Sequence, residues 1–412
     1  MKAVVVGAGF AGLAAAQALA TRGVQVVVIE RDDDLRQAGR RGVPQAAHLH
    51  NVLGRAQLHL DELFPGWRER LIASGCGRGT VSLDTGVFEF GHEMPRRDLG
   101  FEIFSTPRAS IDSVLLAIHT PETITGAADV QAVVDEGRCT GVTFRQPSGL
   151  VRLDADLVVD CSGPTALSSS WLAAEQVELP VDELQVDQWY ATTRIEPLSA
   201  DDLPPFLMTF PTPPDVTLGA LVSPAGDGTF TLSVNGRAAD PIPRTVDELG
   251  SLLRMLATPS IATRYEHGRA HSAPSVFRRV VARWRRHDLV PGIAGLIALG
   301  DSIGTLNPLF GQGMSVAAWQ ASLLAELAGA HDGWERDYVH AAAIAVAQAW
   351  SLGRAVDDAV SGRSSALARL MADDPEIHRR YVRTWHLLES PGWLNEPDLQ
   401  ATLAAMHEEV AE

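Results

Sequence analysis

The sequence predicts an α/β fold in which a parallel-sheet domain carries an inserted antiparallel sheet and a C-terminal helical segment. Three observations predict this class: a glycine-rich strand, turn and helix at the N-terminus, a second apolar strand with a glycine-rich helix start near residue 300, and short strand-like stretches between them. With 412 residues, 46% of them hydrophobic, the chain is long enough for two or three domains around a large core.

The N-terminal unit has strand, turn and helix in the order that dinucleotide binding requires. Residues 3–6 are an apolar run, residues 7–12 read Gly-Ala-Gly-Phe-Ala-Gly, and an Ala-rich helical stretch follows. Gly7 permits the tight turn, Gly9 lets a pyrophosphate approach the backbone, and Gly12 lets the helix pack closely on the sheet. This GxGxxG pattern therefore predicts a Rossmann-like dinucleotide-binding unit.

A second predicted strand completes the unit. Residues 24–29 form this strand, and Glu30 follows it at about the spacing at which a carboxylate binds ribose hydroxyls. Glu30 followed by Arg31 is similar to the pattern of FAD-binding enzymes. This unit alone leaves FAD and NAD open.

A second group of candidate cofactor contacts lies near residue 300. Residues 295–299 are a predicted strand that leads to Asp301, and a loop over residues 307–314 enters an Ala-rich helix. A carboxylate at a strand end accepts hydrogen bonds from sugar-alcohol hydroxyls, and the N–H groups of a helix start favour negative charge. The pair suits the ribityl chain and the N1–C2=O edge of a flavin.

These segments together resemble the FAD-dependent monooxygenases of the para-hydroxybenzoate hydroxylase fold. Two further segments match in the same order. Residues 104–112 look like the family's helix start whose arginine, here Arg108, reaches the FAD, and residues 156–163 are similar to a strand that ends in a small-residue turn near the cofactor. The resemblance implies an FAD-binding domain of the glutathione-reductase type, with residues 130–134, 140–145 and 151–159 forming a meander.

A more particular resemblance lies in residues 40–53 and 63–66. They look like the Gly-Val-Pro-Gln and His-x-His segment of a bacterial branch that includes the polyether epoxidases of lasalocid and monensin biosynthesis. In the family an arginine of this region lies against the FAD, which points to Arg40 or Arg41 without choosing between them. The histidines of the His-x-His pattern, His48 and His50, are interpreted as a helix-start pair that bonds to the backbone, with a catalytic role as the alternative. With His59 they match no metal motif, so no metal site is predicted.

The motifs and the resemblance together define the candidate site. Three side chains are candidates for positioning a substrate: Gln45, His48 and Tyr190. The predicted FAD-binding residues are Gly7, Gly9, Phe10, Ala11, Gly12, Glu30, Arg31, Arg40, Arg41, Arg108, Asp301, Pro308, Gly311, Gly313 and Met314.

The middle of the chain predicts an antiparallel sheet that forms one wall of a substrate cavity. Its predicted strands are residues 188–194, 216–222 and 229–234, with 87–90 joining them. Residues 204–211 are apolar and Pro-rich, which fits either a cavity lining or an ordinary edge strand. The Arg-rich residues 277–286 are interpreted as a salt-bridged surface helix rather than a site for an NADPH phosphate.

The predicted domains are discontinuous. The FAD-binding domain takes residues 1–85, 102–180 and 285–335, the substrate-binding domain takes 86–101 and 181–284, and residues 336–412 form C-terminal helices. These helices are expected to cover the core or to form an oligomer surface. The oligomeric state itself stays open.

Composition excludes several classes of function. A net charge of −17 speaks against nucleic acid and anionic lipid as partners. Lys2 is the single lysine, which excludes Schiff-base chemistry and phosphate-loop NTP hydrolysis. Three cysteines are too few for a metal cluster or a disulfide framework. With no signal peptide and no integral membrane segment apparent, a cytoplasmic protein is expected.

The resemblance implies an FAD-dependent monooxygenase that inserts one oxygen atom from dioxygen, through a flavin C4a-hydroperoxide, into a hydrophobic natural-product intermediate such as a polyketide. Epoxidation of an alkene and hydroxylation both stay open, and electrons would come from NAD(P)H or from reduced flavin supplied by a partner reductase. Two alternatives remain on the same scaffold: a non-redox cyclase of the pericyclase kind and an NAD(P)H-dependent flavin reductase. Halogenation is disfavoured, because in the family it needs an active-site lysine and a Trp-x-Trp-x-x-Ile-Pro segment, which this sequence lacks.

Overall fold

The computed structural model describes residues 1–35, 48–212, 215–358 and 363–411. Its strands, in chain order, are β1 (Lys2–Val6), β2 (Gln25–Ile29), β3 (Leu49–Val52), β4 (Gly77–Thr80), β5 (Thr85–Glu89), β6 (His92–Glu93), β7 (Glu102–Pro107), β8 (Glu122–Ile124), β9 (Ala128–Asp135), β10 (Arg138–Gln146), β11 (Gly149–Asp154), β12 (Leu157–Asp160), β13 (Val181–Pro197), β14 (Phe206–Thr209), β15 (Gly219–Pro224), β16 (Phe230–Arg237), β17 (Gly268–Ala270), β18 (Ser275–Arg285), β19 (Leu296–Ala298) and β20 (Gly304–Thr305).

The helices, in the same order, are α1 (Phe10–Thr21), α2 (Gly54–Leu63), α3 (Trp67–Ala73), α4 (Arg108–Ile118), α5 (Leu167–Ala174), α6 (Val246–Leu253), α7 (Ser260–Glu266), α8 (Gly313–Leu327), α9 (Trp334–Asp358), α10 (Arg363–Asp373), α11 (Pro375–Trp385) and α12 (Pro397–Ala411).

A parallel five-stranded sheet carries the N-terminal unit. Its order is β19-β12-β1-β2-β8, and each neighbouring pair is parallel. The sheet is covered on both faces, which explains why β1 is an unbroken apolar run whose Val4 and Val5 are fully buried. The predicted Rossmann-like α/β class is confirmed, and α1 follows β1 directly as the GxGxxG pattern predicts.

A nine-stranded sheet forms the second layer. Its order is β20-β18-β13-β16-β15-β14-β5-β6, with β17 also paired to β13. The predicted wall of strands is therefore confirmed, although residues 216–218 lie outside β15. Strand β14 lies between β15 and β5, so the reading of residues 204–211 as an edge strand is wrong. The predicted domain boundaries stay a prediction.

Three local expectations are corrected. The stretch 151–159 is split, because β11 belongs to the antiparallel sheet β11-β10-β9 while β12 joins the parallel sheet. Residues 277–286 are not a helix, since nearly all of them lie in β18 with every second side chain turned inward. The histidine pair does not start a helix: it stands at the start of β3, which pairs with β7.

The C-terminal helices pack in two places. Helix α9 buries Tyr338, Ala342 and Val346 in the same core as α1 and α8, as the predicted helical cover requires. Helices α10, α11 and α12 form a separate apolar cluster with Met94 and Phe90, at the end of the nine-stranded sheet. Along the described ranges, no helix combines the length and the apolar character needed to cross a membrane.

Candidate functional site

One large cavity joins the two sheets. It has a volume of about 950 Å³, which is within the usual range for cofactor and substrate sites. Residues at the carboxyl ends of β1, β2 and β12 line one end, and side chains of the nine-stranded sheet and of α11 line the other. A ligand crevice beyond the carboxyl ends of parallel strands is the arrangement expected of a dinucleotide-binding sheet.

The glycine turn shapes the first end of the cavity. Gly7 has a φ of +104°, and a Cβ there would lie 2.4 Å from the carbonyl oxygen of Cys161. A Cβ on Gly12 would lie 1.8 Å from the carbonyl oxygen of Gly7, whereas a Cβ on Gly9 meets no described atom within 4 Å. Gly7 and Gly12 are therefore required by packing, and Gly9 faces open space in the cavity wall. The start of α1, at Phe10 and Ala11, lies beside that space and favours a negative ligand.

Glu30 is fixed at the same end. Its Oε2 accepts a hydrogen bond of 2.7 Å from the N–H of Ala8, and its Oε1 accepts from the N–H groups of Arg31 and Asp32 at 2.8 and 3.1 Å. These bonds hold the carboxylate against the glycine turn at the cavity wall. A carboxylate beside the glycine turn, at the end of the second strand, is in the position at which dinucleotide-binding sheets bind ribose hydroxyls.

Arg108 is the first residue of α4 and borders the cavity. Its Nε donates to Oδ1 of Asp112 at 2.9 Å, and its guanidinium lies 5.1 Å from the ring centre of Phe10. Both partners of this ion pair are nearly buried. The arginine is therefore held in place beside the first residue of α1, where a phosphate group would meet it.

The second glycine-rich loop supplies another part of the cofactor end. Asp301, the 3-10 turn Pro308–Phe310 and Gly311 line the cavity, and α8 begins there at Gly313. The N–H of Gly300 donates to Oε1 of Gln320 in α8 at 2.7 Å, which ties the strand end to the helix. Two helix starts, those of α1 and α8, therefore border one cavity.

Positive charge surrounds Asp301. Burial raises the pKa of the Asp301 carboxyl above its ordinary value, and the positive charges of Arg279, Arg108 and Arg285 offset only part of this rise. Arg285 donates to the carbonyl oxygens of Asp301 and Pro164 at 3.2 and 3.1 Å. These arginines therefore favour the charged form of the Asp301 carboxyl and oppose the effect of its burial.

The nine-stranded sheet turns a mixed face toward the cavity. Tyr190 in β13 is paired with Asn235 in β16 and with Phe277 in β18, so the three side chains share one face. The Tyr190 hydroxyl, Nδ2 of Asn235 and Nε of Arg279 are buried and have no hydrogen-bond partner in the described part of the chain. Buried polar atoms are rarely left unpaired, so a ligand with polar groups fits this wall.

His48 belongs to the same wall. Its Nδ1 lies 2.7 Å from the Thr192 hydroxyl, which lies 2.9 Å from the Ser233 hydroxyl, and its ring packs on Phe277. Nδ1 of His50 is 2.9 Å from the carbonyl oxygen of His48. Burial lowers the pKa of His50 to about 3, helped by Arg108, and burial also lowers the pKa of His48. Both shifts favour the neutral imidazole at physiological pH.

Helix α11 closes the cavity from the C-terminal part of the chain. The lining residues His378, Tyr381, Val382 and Trp385 follow helical spacing and lie on one face. His386, just after the helix, accepts a 3.0 Å hydrogen bond at Nδ1 from the N–H of Gly54, and burial lowers its pKa to about 3. The neutral ring therefore carries its proton on Nε2.

The structure brings most of the predicted residues together. The predicted residues that line the cavity are Gly7, Gly9, Phe10, Ala11, Glu30, Arg31, His48, Arg108, Tyr190, Asp301, Pro308, Gly311, Gly313 and Met314. Gly12 packs against the turn instead of lining the cavity. Arg40, Arg41 and Gln45 lie outside the described residues. In the described ranges no cluster of three or more His, Cys, Asp or Glu side chains is placed to bind a metal ion.

Several lining residues escaped the sequence analysis. They are Glu89, Arg279, Tyr381, Trp385 and His386. Arg285, which donates to the carbonyl oxygen of the lining residue Asp301, was not predicted either. The alternation of Val87, Phe88 and Glu89 does place a carboxylate on the apolar face of a strand, which is a detectable signal. Nothing in the sequence connects that strand to a helix almost 300 residues away.

Comparisons with known proteins agree with this geometry. Residues 2–88 match the family model described as FAD dependent oxidoreductase. Protein Rv3254 of Mycobacterium tuberculosis is 28% identical to this chain over 344 residues, which cover 78% of this chain and 72% of the relative.

Solved flavoproteins share the fold over nearly the whole chain. A flavoprotein/dehydrogenase from Cytophaga hutchinsonii aligns with a TM-score of 0.71 at 17% identity, covering 100% of this chain and 99% of the other. A flavin-dependent brominase gives a TM-score of 0.65 at 16% identity, with coverages of 100% and 99%. The oxygenase of 2-methyl-3-hydroxypyridine-5-carboxylic acid gives 0.62 at 16% identity, with coverages of 98% and 95%.

The chain therefore has the fold of the flavoprotein monooxygenases, and its N-terminal segment matches an FAD-dependent oxidoreductase domain. At these identities the solved structures show the fold alone. The cavity fits FAD by its own chemistry, since open space at Gly9, two helix starts, the Glu30 carboxylate and the buried Arg108 lie along it. The particular likeness to polyether epoxidases stays a prediction.

Proposed function

We propose that this protein is an FAD-dependent monooxygenase that epoxidises or hydroxylates a hydrophobic natural-product intermediate. One observation carries the proposal: a single cavity joins the predicted FAD contacts to a largely apolar wall with a few unpaired polar atoms. The neighbouring oxygenase structure supports the same class of reaction. FAD, when bound, supplies the activation of dioxygen.

The chain's own residues would hold the cofactor at its charged parts. Glu30 would accept hydrogen bonds from the ribose, and the N–H groups at the start of α1, with Arg108, would face the pyrophosphate. Asp301 would accept from the ribityl hydroxyls, and the start of α8 at Gly313 and Met314 would face the pyrimidine edge of the flavin. Arg40 or Arg41 stays a proposed further contact.

The substrate end would exclude water and orient the reacting carbon. Its lining includes Met208, Phe210, Leu221, Phe277 and Trp385, which favour an apolar molecule. Excluding water protects an oxygen-transferring flavin from wasteful breakdown. Tyr190 and His48 remain candidates for positioning, each at the same sheet wall, and Gln45 stays a prediction.

Halogenation is the rival reaction that the brominase neighbour raises. Lys2, the single lysine of the sequence, begins β1 and is absent from the described lining of the cavity. A lysine-dependent halogenation therefore has no candidate residue here. Bromide-dependent product formation by the purified protein would contradict this exclusion.

The test of the proposal is the fate of labelled dioxygen. The FAD-loaded protein is incubated under ¹⁸O₂ with a panel of polyenes and hydroxyarenes, NAD(P)H and an added flavin reductase, and the products are weighed by mass spectrometry. The proposal predicts a product with one heavy oxygen atom. A product that is an isomer of the substrate, with unchanged elemental composition, would contradict the proposal and favour the cyclase. Reduction of the substrate in the absence of dioxygen would contradict it and favour the reductase. Omitting the added reductase shows whether NAD(P)H reduces the flavin directly.

A further inference from the structure

A buried acidic pair lines the cavity outside the predicted cofactor contacts. Glu89 is the last residue of β5 and is only 5% exposed. The hydroxyl of Tyr381 in α11 donates a hydrogen bond of 2.6 Å to Oε1 of Glu89. Both residues line the cavity.

Local structure explains why both side chains reach this place. Strand alternation puts Thr85, Val87 and Glu89 on one face of β5, and all three line the cavity. Tyr381 is on the face of α11 that closes the cavity. The position is thus produced by two regular elements and not by a loop.

The hydrogen bonding of Glu89 is incomplete. Tyr381 is the only hydrogen-bond donor to its side chain in the described part of the chain, and a carboxylate offers about four acceptor positions. Burial raises the pKa of Glu89 to about 7, while the bond from Tyr381 acts in the opposite direction. A buried acceptor with spare capacity calls for a donor on the bound molecule.

The pair is connected to the predicted cofactor end by aromatic rings. The ring of Tyr381 lies 6.3 Å from that of Trp385, which lies 5.0 Å from that of Phe310 in the second glycine-rich loop. Nε2 of Gln312 in the same loop donates to the carbonyl oxygen of Trp385 at 3.1 Å. Tyr381 is therefore linked through Trp385 to the loop that would hold the flavin, and the same cavity extends from Glu89 to that loop.

We propose that Glu89, positioned by Tyr381, binds a phenolic or enolic hydroxyl of the substrate and takes up its proton. The proposal depends on the proposed function only in taking this cavity as the substrate site. The substrate O–H bond breaks, its electron pair stays on the substrate oxygen, and the proton bonds to a Glu89 oxygen. Tyr381 keeps its proton throughout. The resulting anion is more electron-rich, which favours attack on an electrophilic oxygen.

Other titratable side chains lie on the elements that carry the Glu89–Tyr381 pair or pair with them. On β6, His92 is paired with Glu89 across the strands, and its Nε2 lies 2.9 Å from the Ser365 hydroxyl; Glu93 is its neighbour. On α11, burial and the charge of Arg97 lower the pKa of His378 to about 4. A substitution confined to Glu89 leaves these groups in place, so a change in pH dependence can be assigned to the carboxyl.

The experiment compares hydroxyarenes with their methyl ethers. The probes are 4-methylphenol, 2-naphthol and 2-hydroxyanthracene, each beside its methyl ether, titrated into the FAD-loaded protein from pH 5 to 9. The absorption of the naphtholate and anthracenolate anions reports proton loss directly. For the wild type we expect tighter binding of hydroxyarenes than of ethers, with an anion band that grows through a midpoint near pH 7.

Two variants separate the carboxyl from its support. In Glu89→Gln we expect roughly tenfold or more weaker binding of the hydroxyarene, unchanged binding of the ether and no anion band. In Tyr381→Phe the midpoint should move to higher pH, because the bond that lowers the pKa of Glu89 is gone. Glu93→Gln is the matched control, because Glu93 is an exposed carboxylate of the neighbouring strand β6 and is absent from the described lining of the cavity. It should behave as the wild type.

Three results would overturn the proposal. The first is that the wild type binds hydroxyarenes and ethers equally, or binds neither. The second is an anion band in Glu89→Gln equal to that of the wild type. The third is that the midpoint of the anion band is unchanged in Tyr381→Phe. Retained FAD and a native near-ultraviolet circular dichroism spectrum show that the variants fold. If the wild type does not bind FAD, the proposed function is contradicted, but the proposal for Glu89 can still be tested. The anion bands come from the probes and do not require flavin.

Discussion

At the scale of single residues, the glycine turn shows how far a motif fixes local geometry. Gly7 and Gly12 are required by contacts with backbone atoms, and these contacts follow from the strand, turn and helix that the sequence indicates. Gly9 differs, because the space beside it is open. Its role is therefore predicted to be in ligand binding and not in folding.

Alanine substitutions at Gly12 and Gly9 test the difference between a glycine required for folding and one required for ligand binding. Gly12→Ala should lower the free energy of unfolding by about 3 kcal/mol or more, since the new methyl group meets a carbonyl oxygen that cannot easily move. Gly9→Ala should cost less than about 1 kcal/mol but weaken FAD binding roughly tenfold or more. Urea unfolding and FAD titration measure the two effects. Equal losses of stability would contradict the distinction.

The buried Glu89 carboxyl leads to a prediction about how the free energy of unfolding depends on pH. Its pKa in the folded protein is about 7, against 4.5 ordinarily, so the folded state holds a proton that the unfolded state releases. Stability from this group is full below about pH 4.5 and is lost as pH rises to about 7. The difference in unfolding free energy between the wild type and Glu89→Gln should therefore fall over this range, on the order of 3 kcal/mol.

The buried histidines act with the opposite sign. Burial lowers the pKa of His50, His378 and His386, so each of them adds stability as pH rises through the same acidic range. They are present in both proteins and cancel in the difference. A wild-type minus variant difference that stays flat from pH 4.5 to 8 would contradict the raised pKa of Glu89.

At the scale of secondary structure, elements are predictable from the sequence where the spacing of apolar residues fits either a strand or a helix and not both. Strand β1 and helix α1 were predictable from an apolar run and a glycine pattern. The prediction of a helix for strand β18 is wrong, because arginines on both faces of the strand hide its alternating pattern. Phe277 and Arg279, two residues apart, both point toward the cavity. The place of α11 was not predictable, since its contacts with β5 and with the second glycine-rich loop are set by tertiary packing.

That packing makes α11 a structural support for the cofactor end. Trp385 contacts Phe310 and Phe210 at 5.0 and 5.3 Å between ring centres. Trp385→Ala should cost about 3 kcal/mol and weaken FAD binding roughly tenfold, because the loop loses its aromatic partner. Ile344→Ala, at a 59% exposed position of α9, is the matched control and should change neither quantity by much. Unchanged FAD affinity in Trp385→Ala would show that the loop is held by its other contacts.

At the scale of the whole molecule, the sequence predicted the class of fold and one end of the cavity. The motifs of the cofactor end are local, so each carried its own signal. The substrate end combines a strand near residue 89, the nine-stranded sheet and a helix near residue 381, and no local pattern connects them. The residue types that decide the substrate were therefore visible only once the chain was folded.

Binding of FAD is the property on which the whole account depends. Titration of FAD and of NADH into flavin-free protein, followed by calorimetry and by thermal unfolding, measures it without knowledge of the substrate. We predict one FAD bound per chain, a preference of about a hundredfold or more over NADH, and stabilisation of about 2.7 kcal/mol when free FAD is a hundred times its Kd. No FAD binding, or tighter binding of NADH than of FAD, would contradict the account.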